Sequence, residues 1–319
     1  MSRICLGIDV SKKTLDVALI RNNRTLNKQF KNSVDGLRLL ADWLESMSIA
    51  ELHACLEATG SYSEAVAMFL HERGYRVSIV NPLRIKGYAQ SNLRRNKTDR
   101  LDARLIASFC QTQEPDEWLP PSAEVRHLQA LVRRIETLEE MLQAEQNRLA
   151  NAACQVQPSV ERIIELLKAE ISELERQIKQ HIESHPHLKE QSVLLQTIPG
   201  IGRRTAQFLL SEVEFARYHS ARALAAQAGV VPRQRQSGTS LKQTNLSKLG
   251  NGRLRKALYF PAIVATQRNE IIKEFAVRLR KKGKAPIQVV CAVMRKLLHI
   301  AFGVLKHGRS FDSSLAFSA

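Results

Sequence analysis

RICLGIDVSKKTLDVALIRNNRTLNKQFK, residues 3–31, is the stretch that decides the fold. RICLGIDV (3–10) is a short apolar run that ends on Asp9 and Val10. TLDVALIR (14–21) alternates, and TLNKQFK (25–31) reads as a third, more polar strand, so the three together predict a meander. Ser33 then stands at a helix N-cap position, and Leu37, Leu39, Leu40 and Trp43 recur at helical spacing. ELHACLE (51–57) returns to strand, a helix is predicted from about Ser61 to Arg73, and Gly74 breaks it. YRVSIV (75–80) is a strand, with helices around 83–92 and 100–112. The order βββαβαβα, short apolar strands between amphipathic helices, predicts an α/β domain over residues 1–118.

The period changes from about Ala123. Val125, Leu128, Val132, Ile135, Leu138 and Leu142 form one stripe, and Val160, Ile164, Leu167, Ile171, Leu174, Ile178 and Ile182 alternate spacings of four and three. Two coiled-coil helices are predicted over 119–190. The break at 151–159, with Pro158, makes them an antiparallel hairpin or one long interrupted helix. Such a stripe reads as a spacer or dimerisation arm, so a homo-oligomer is expected, a dimer or, when synapsed, a tetramer. Residues 191–319 read as an all-α domain with Gly-rich breaks at 200–202, 229, 238 and 250–252.

Charge divides the chain in the same way. The net charge is +17 over 319 residues; residues 191–319 hold 22 Lys and Arg against 5 Asp and Glu, whereas residues 1–190 hold 26 of each. A surplus confined to one region is the footprint of a polyanion-binding module. Membrane binding is not expected, because no run approaches the ~18 apolar residues of a spanning helix. Cys5, Cys55, Cys110, Cys154 and Cys291 are odd in number, widely scattered and never spaced as CxxC, so neither a disulfide framework nor a zinc site is indicated, and a reducing cytoplasm fits. The segment Met1-Ser2-Arg3-Ile4 runs into a strand without a signal-peptide pattern. The expected location is the cytoplasm, at the bacterial nucleoid when acting.

Metal-assisted phosphoryl transfer needs oxygen ligands converging on two hard cations about 3.5–4 Å apart. Asp9 ends the first strand, Glu57 ends the fourth, and Asp99 and Asp102 stand three apart in KTDRLDA, on one face of a helix. Singly, each is a turn residue, a solvated acid or a helix cap. Together they predict a four-carboxylate site. Asp16, inside the second strand, reads as a solvated face residue.

In the basic region, IPGIG followed by RRTA has the form of a helix-hairpin-helix, whose glycines admit a phosphate to backbone N–H groups beside Arg203 and Arg204. Residues 233–256 carry Arg233, Arg235, Lys242, Lys248, Arg253, Arg255 and Lys256 with no acid among them, which predicts a phosphate-facing loop. Aromatic residues make up 5% of the chain, so no stacking platform is evident. Ser237 and Gly238 read by themselves as a turn.

These residues also carry a resemblance. GIDVSKKTLDVALI (7–20), LEATGSY (56–62) and NKTDRLDARLIA (96–107) resemble the DEDD motifs of the insertion sequence 110 family of transposases. The resemblance continues through TIPGIGRRTA (197–206), GVVPRQRQSG (229–238) and GNGRLRKALY (250–259), in order and over nearly the whole chain. It implies a RuvC-like, ribonuclease-H-like first domain in which Asp9, Glu57, Asp99 and Asp102 are catalytic ligands of Mg2+ or Mn2+. It further implies that Ser237 is the nucleophile, Ser240 being the alternative, through a phosphoserine intermediate. Donor and target DNA and a bridge RNA are the implied partners. No general base stands out from spacing. Two other readings remain at this point: a metal-dependent nuclease or junction resolvase using water, with Ser237 structural, and a non-enzymatic DNA-binding protein on a degenerate nuclease fold. The intact carboxylate set argues against the last.

Overall fold

The computed structural model describes residues 4–58, 60–91, 99–237, 241–247 and 249–313, with the backbone alone at 61, 99–101, 234–237 and 241–245. The chain divides into two compact units, Met1–Pro120 and Pro121–Ala319.

The first unit follows the predicted order. Strands β1 (Cys5–Val10), β2 (Thr14–Arg21) and β3 (Arg24–Lys31) form the antiparallel meander, and β4 (His53–Glu57) and β5 (Arg76–Val80) extend it in parallel. The sheet order β3-β2-β1-β4-β5 is of the RuvC-like type. Helix α1 (Val34–Ser46) starts where the sequence places it, the Ser33 hydroxyl accepting from Gly36 N at 3.2 Å. Strand alternation sorts the core into two layers. Leu6, Ile8 and Val10 of β1 and Ala54 and Leu56 of β4 pack with α1 and α2 (Ser61–His71). Cys5 and Cys55 pack on the other face with α3 (Pro82–Ser91) and α4 (Asp99–Gln113).

In the second unit, α5 (Ala123–Leu149) and α6 (Gln157–Ser184) pack side by side. His127 near the start of α5 stacks on His181 near the end of α6, and Leu138 packs against Leu167, Ile171 and Leu174, so the two run antiparallel. The predicted stripes are the buried faces, and the residues nearest the base, Val125, Leu128, Val132, Ile178 and Ile182, belong to the unit's main core. That core continues through α7 (Pro186–Gln196), α8 (Arg203–Glu212) and α9 (Ala221–Gln227). A two-stranded ribbon, β6 (Pro232–Ser237) and β7 (Leu241–Leu246), precedes α10 (Gly252–Arg268), α11 (Glu270–Lys281) and α12 (Pro286–His307).

Two expectations are corrected. The region is helical except for the ribbon, which stands where a basic loop was predicted, with Arg233 opposite Asn245 and Ser237 opposite Leu241. PRQRQS and LKQTNL have no apolar alternation, so the pattern that betrays a half-buried strand is missing. Helix α12, with 22 residues and hydropathy 1.6, is long and apolar enough to span a membrane, although no such run was expected. The most apolar stretch of the helix is half buried inside the unit, including Val293, Leu297, Leu298 and Ala301, and Arg295 and Lys296 interrupt it. It is a core helix of this unit.

Histidines cluster where α5, α6 and α7 meet. The rings of His127 and His181 lie 4.6 Å apart and those of His181 and His185 4.4 Å apart, and His181 Nε2 sits 2.9 Å from the Glu124 carbonyl. Burial, with His185 and His127 adding repulsion, lowers the His181 pKa below its ordinary 6.5. The folded state thus binds fewer protons here than the unfolded chain, so the stabilisation is present above pH 6.5 and is lost as pH falls through the depressed value. The thermal midpoint of unfolding is expected to drop between pH 7.5 and 5.5, about the ordinary histidine pKa. His181→Gln should flatten that drop; an unchanged profile in the variant would remove His181 as its source.

Candidate active site and nucleic-acid interface

The carboxylates of the first unit are placed by strand register and by one glycine. Ile8 pairs with Leu56 across parallel β1 and β4, so Asp9 and Glu57 each stand one step beyond that pair, side by side at the strand ends. Both continue the face of Cys5, Gly7 and Cys55, which is the face that α4 covers. Both are half-buried.

Helix α4 lies directly on the backbone of β1. A Cβ on Gly7 would stand 2.2 Å from Ala103 O and 2.2 Å from Ala107 N, so only glycine admits the helix at this depth. Further along, the Cys110 thiol reaches the His53 carbonyl at 3.5 Å and packs with Cys5 and Cys55. The helix therefore runs opposite to β1, and its first turn points back toward the strand ends that carry Asp9 and Glu57. Asp102 is half-buried beside Ala103, and Asp99 opens the helix one turn earlier. A helix N-terminus favours carboxylates electrostatically.

The side chain of Asp99 lies outside the described residues. Among the described residues, no group of three or more His, Cys, Asp or Glu side chains could hold a metal ion. Donor chemistry nonetheless suits a hard divalent cation, because every candidate ligand is a carboxylate oxygen. Asp16, across from Asp9 in the register, accepts from Gln29 Nε2 at 3.0 and 3.1 Å and is occupied within the meander.

The second unit revises the basic interface. IPGIG is the turn between α7 and α8, but Gly200, at φ +106°, faces inward: a Cβ there would stand 2.7 Å from Ala265 Cβ of α10. Gly202 caps α8 with open space around it, and Arg203 beside it is exposed. Arg204 turns to Glu139 of α5 and Glu175 of α6. Arg253 pairs with Glu136 and Glu212, and Lys256 with Glu140 at 3.1 Å. Arg253 and Lys256 thus find acids on other helices, which corrects the reading of residues 233–256 as uncompensated at those two positions. Glu212, its side chain 5% exposed, is the centre of this arrangement. It accepts from Arg133 Nε at 3.2 Å and Asn251 Nδ2 at 3.1 Å, while Asn251 caps α10 through Arg253 N and Leu254 N.

Arg255 donates to the Ala228 carbonyl at 3.2 Å, and Arg233 is exposed on β6. Ser237 is the last residue of β6; its side chain and those of Arg235 and Lys242 lie outside the described residues, as do Lys248 and Ser240 altogether. Sequence reasoning missed Glu136, Glu139, Glu140 and Glu175 as partners, because the apolar stripe carries no sign of which distant cations the acids beside it meet.

Comparison with known proteins agrees with this layout. Residues 6–158 match a transposase family model of the DEDD, IS110 type, and residues 192–276 match one described as transposase, IS116/IS110/IS902 family. The chain is 36% identical to the pilin gene-inverting protein of Moraxella bovis, over 99% of both chains, and equally so to that of Moraxella lacunata. It is 27% identical to the transposase for insertion sequence element IS1328 of Yersinia enterocolitica, over 96% of this chain and 98% of that one. A DNA-recombining enzyme of the transposase class is what these matches define. The chain belongs to the IS110/IS116/IS902 transposase family.

The seat of α4 on Gly7 makes a prediction. Gly7→Ala should force the helix off β1, lower stability by about 2 kcal/mol in denaturant unfolding, and reduce DNA cleavage with it. A variant as stable as the parent would show that the helix does not depend on this contact.

Proposed function

We propose that this recombinase cuts and rejoins DNA through a covalent bond between Ser237 and a DNA phosphate, with Asp9, Glu57, Asp99 and Asp102 as ligands of Mg2+ or Mn2+. The observation that carries the reading is the placement of Asp9 and Glu57 side by side at the ends of β1 and β4, on the face where α4 begins with Asp99 and Asp102. When bound, such a cation offsets the charge that builds on the transferring phosphate. The carboxylates' part is to hold it and to keep its open positions toward the DNA.

In the proposed step the Ser237 oxygen forms a bond to phosphorus while the bond from phosphorus to a deoxyribose oxygen breaks. The serine proton leaves and the departing oxygen gains one. Attack by a hydroxyl of another strand reverses the step and joins the new pair, so no outside energy is needed. Ser237 ends a strand in which Arg233 and Arg235 hold alternate positions, the spacing at which a strand repeats one face. Cations there would offset charge on the phosphorane.

Phosphate contacts are assigned to Arg203, Arg233, Arg235, Lys242, Lys248 and Arg255. Arg204, Arg253 and Lys256 reach phosphate only in competition with their carboxylate partners. A bridge RNA that selects the target, a homo-oligomeric active form and a cytoplasmic setting complete the proposal. Identity over almost the full length with gene-inverting proteins favours a second reading of the reaction's outcome, inversion of a segment between two sites.

The test is capture of a protein–DNA adduct on a suicide substrate. The parent should give the adduct, Ser237→Ala should give none, and Asp9→Asn and Asp102→Asn should reduce it at least a hundredfold, the scale on which transition-state charge stabilisation is lost. An undiminished adduct in Ser237→Ala would move the nucleophile elsewhere, with Ser240→Ala next. Cleavage with no adduct in any protein would favour water as the nucleophile.

A further inference from the structure

A groove of about 930 Å³ opens between α10, α11 and α12 of the second unit. Its floor is apolar, with Leu279, Ile287 and Met294, and at its edge Tyr259 and Phe260 stand edge to face with ring centroids 5.5 Å apart. Phe260 is 72% exposed, an uncommon state for a phenyl ring beside an apolar groove. The rim carries Arg255, Lys256, Lys284, Arg295 and Lys296, and among the described lining residues none is an acid. Lys256 pairs with Glu140 on α5 at 3.1 Å. The groove also takes in Pro232 and Leu246, the first residue of β6 and the last of β7, so it begins at the foot of the ribbon that ends on Ser237.

An apolar floor, exposed aromatic faces and a cationic rim suit a ligand with both flat apolar faces and repeated negative charge. Unpaired nucleic acid has both. A duplex keeps its base faces stacked inside and offers only phosphates and groove edges, leaving Phe260 and the floor in water. A second copy of the chain would bring the same positive rim against itself, a repulsive arrangement. Strand exchange frees strands from their duplex, and five strand steps from Pro232 to Ser237 span about 17 Å, so the groove's mouth lies within a short run of nucleotides of the proposed nucleophile.

We propose that this groove holds an unpaired DNA strand, with bases on Phe260 and Tyr259 and phosphates along Arg255, Lys284 and Arg295. The proposal rests on the reading that the second unit handles DNA. The electrostatics of the groove's lining agree with it. Burial, then the charge of Arg278, lowers the pKa of Lys296, and burial, then Arg295, Lys296 and Arg222, lowers that of His299. Neighbouring cations thus add to burial in disfavouring charge there, and a phosphate would favour it.

The experiment is fluorescence anisotropy on the full chain with a labelled mixed-sequence DNA 12-mer, its duplex, and the same sequence as RNA. Phe260→Ala is expected to weaken single-strand binding about tenfold, the lower end of what one stacked base contributes, and to leave duplex binding within about twofold. Phe260→Trp should restore it. Lys284→Gln combined with Arg295→Gln should flatten the slope of log affinity against log salt for the single strand by about 1.4. Because Phe260 is exposed, the thermal midpoint should be unchanged, which separates lost contact from lost fold. The groove assignment is overturned by unchanged single-strand binding in Phe260→Ala, by equal loss on both DNA forms, by Phe260-dependent preference for RNA, or by a change in sedimentation with DNA binding intact. Duplex binding by the parent with any of these outcomes keeps the DNA reading and removes the groove. If the parent binds neither DNA form, the DNA reading of the unit falls, and the groove with it.

Discussion

The close approach of α4 to β1 at Gly7 governs the first unit. With helix backbone atoms where a methyl group would otherwise stand, the helix has little freedom to slide along the strand or lift from it. Its axial position is therefore fixed: Cys110 at the level of Cys5 and Cys55, Ala103 and Ala107 against Gly7, and the first turn beyond. Strand alternation does the rest. Once odd-numbered residues of β1 and β4 face the helix, Asp9 and Glu57 must face its first turn. Asp9 and Glu57, and the helix turn that carries Asp99 and Asp102, are brought toward one corner by backbone packing, without needing attraction between the acids. Acids gathered in this way would repel one another, so a packing constraint has to impose the arrangement, and on the proposed reading a cation would complement it.

Much of this was legible in the sequence, and the reason is periodicity. The first three strands, the Ser33 cap and the stripes of α5 and α6 each announce themselves within a few residues, because burial on one face leaves a repeat of two or of three to four. What was not legible depends on contacts between distant segments. Cys5, Cys55 and Cys110 look scattered, yet parallel pairing and the return of α4 bring them into one buried cluster of thiols. The ribbon of β6 and β7 buries no apolar face of its own, so its strands carry no alternation. Residues 233–256 read as a basic, phosphate-facing stretch. The structure uses Asn251 to cap α10 and to bind Glu212, so part of that stretch holds the helix in place.

Charge was read correctly in its location and incompletely in its disposition. The surplus does lie in residues 191–319, but α5 and α6 return acids to it at Arg204, Arg253 and Lys256. These pairs are not equivalent. Glu212 is almost fully buried and held by Arg133, Arg253 and Asn251, so removing one member would strand a desolvated charge; it is part of the framework that fixes α5, α8 and α10.

Arg204 with Glu139 and Glu175, and Lys256 with Glu140, are exposed on both sides. Ion pairs in water contribute little and are screened by salt, so a phosphate arriving with its own counterion release can displace the carboxylate at small cost. The buried pair thus positions the helices, while the exposed pairs hold cations in place without withdrawing them from use. That distinction follows from solvent alone: the same Glu-to-Arg contact is rigid where water is excluded and exchangeable where it is not. A basic surface built in this way would stay ordered in the free protein and could still yield its charge to a DNA phosphate, which a field of unpaired lysines and arginines would do only at the expense of self-repulsion.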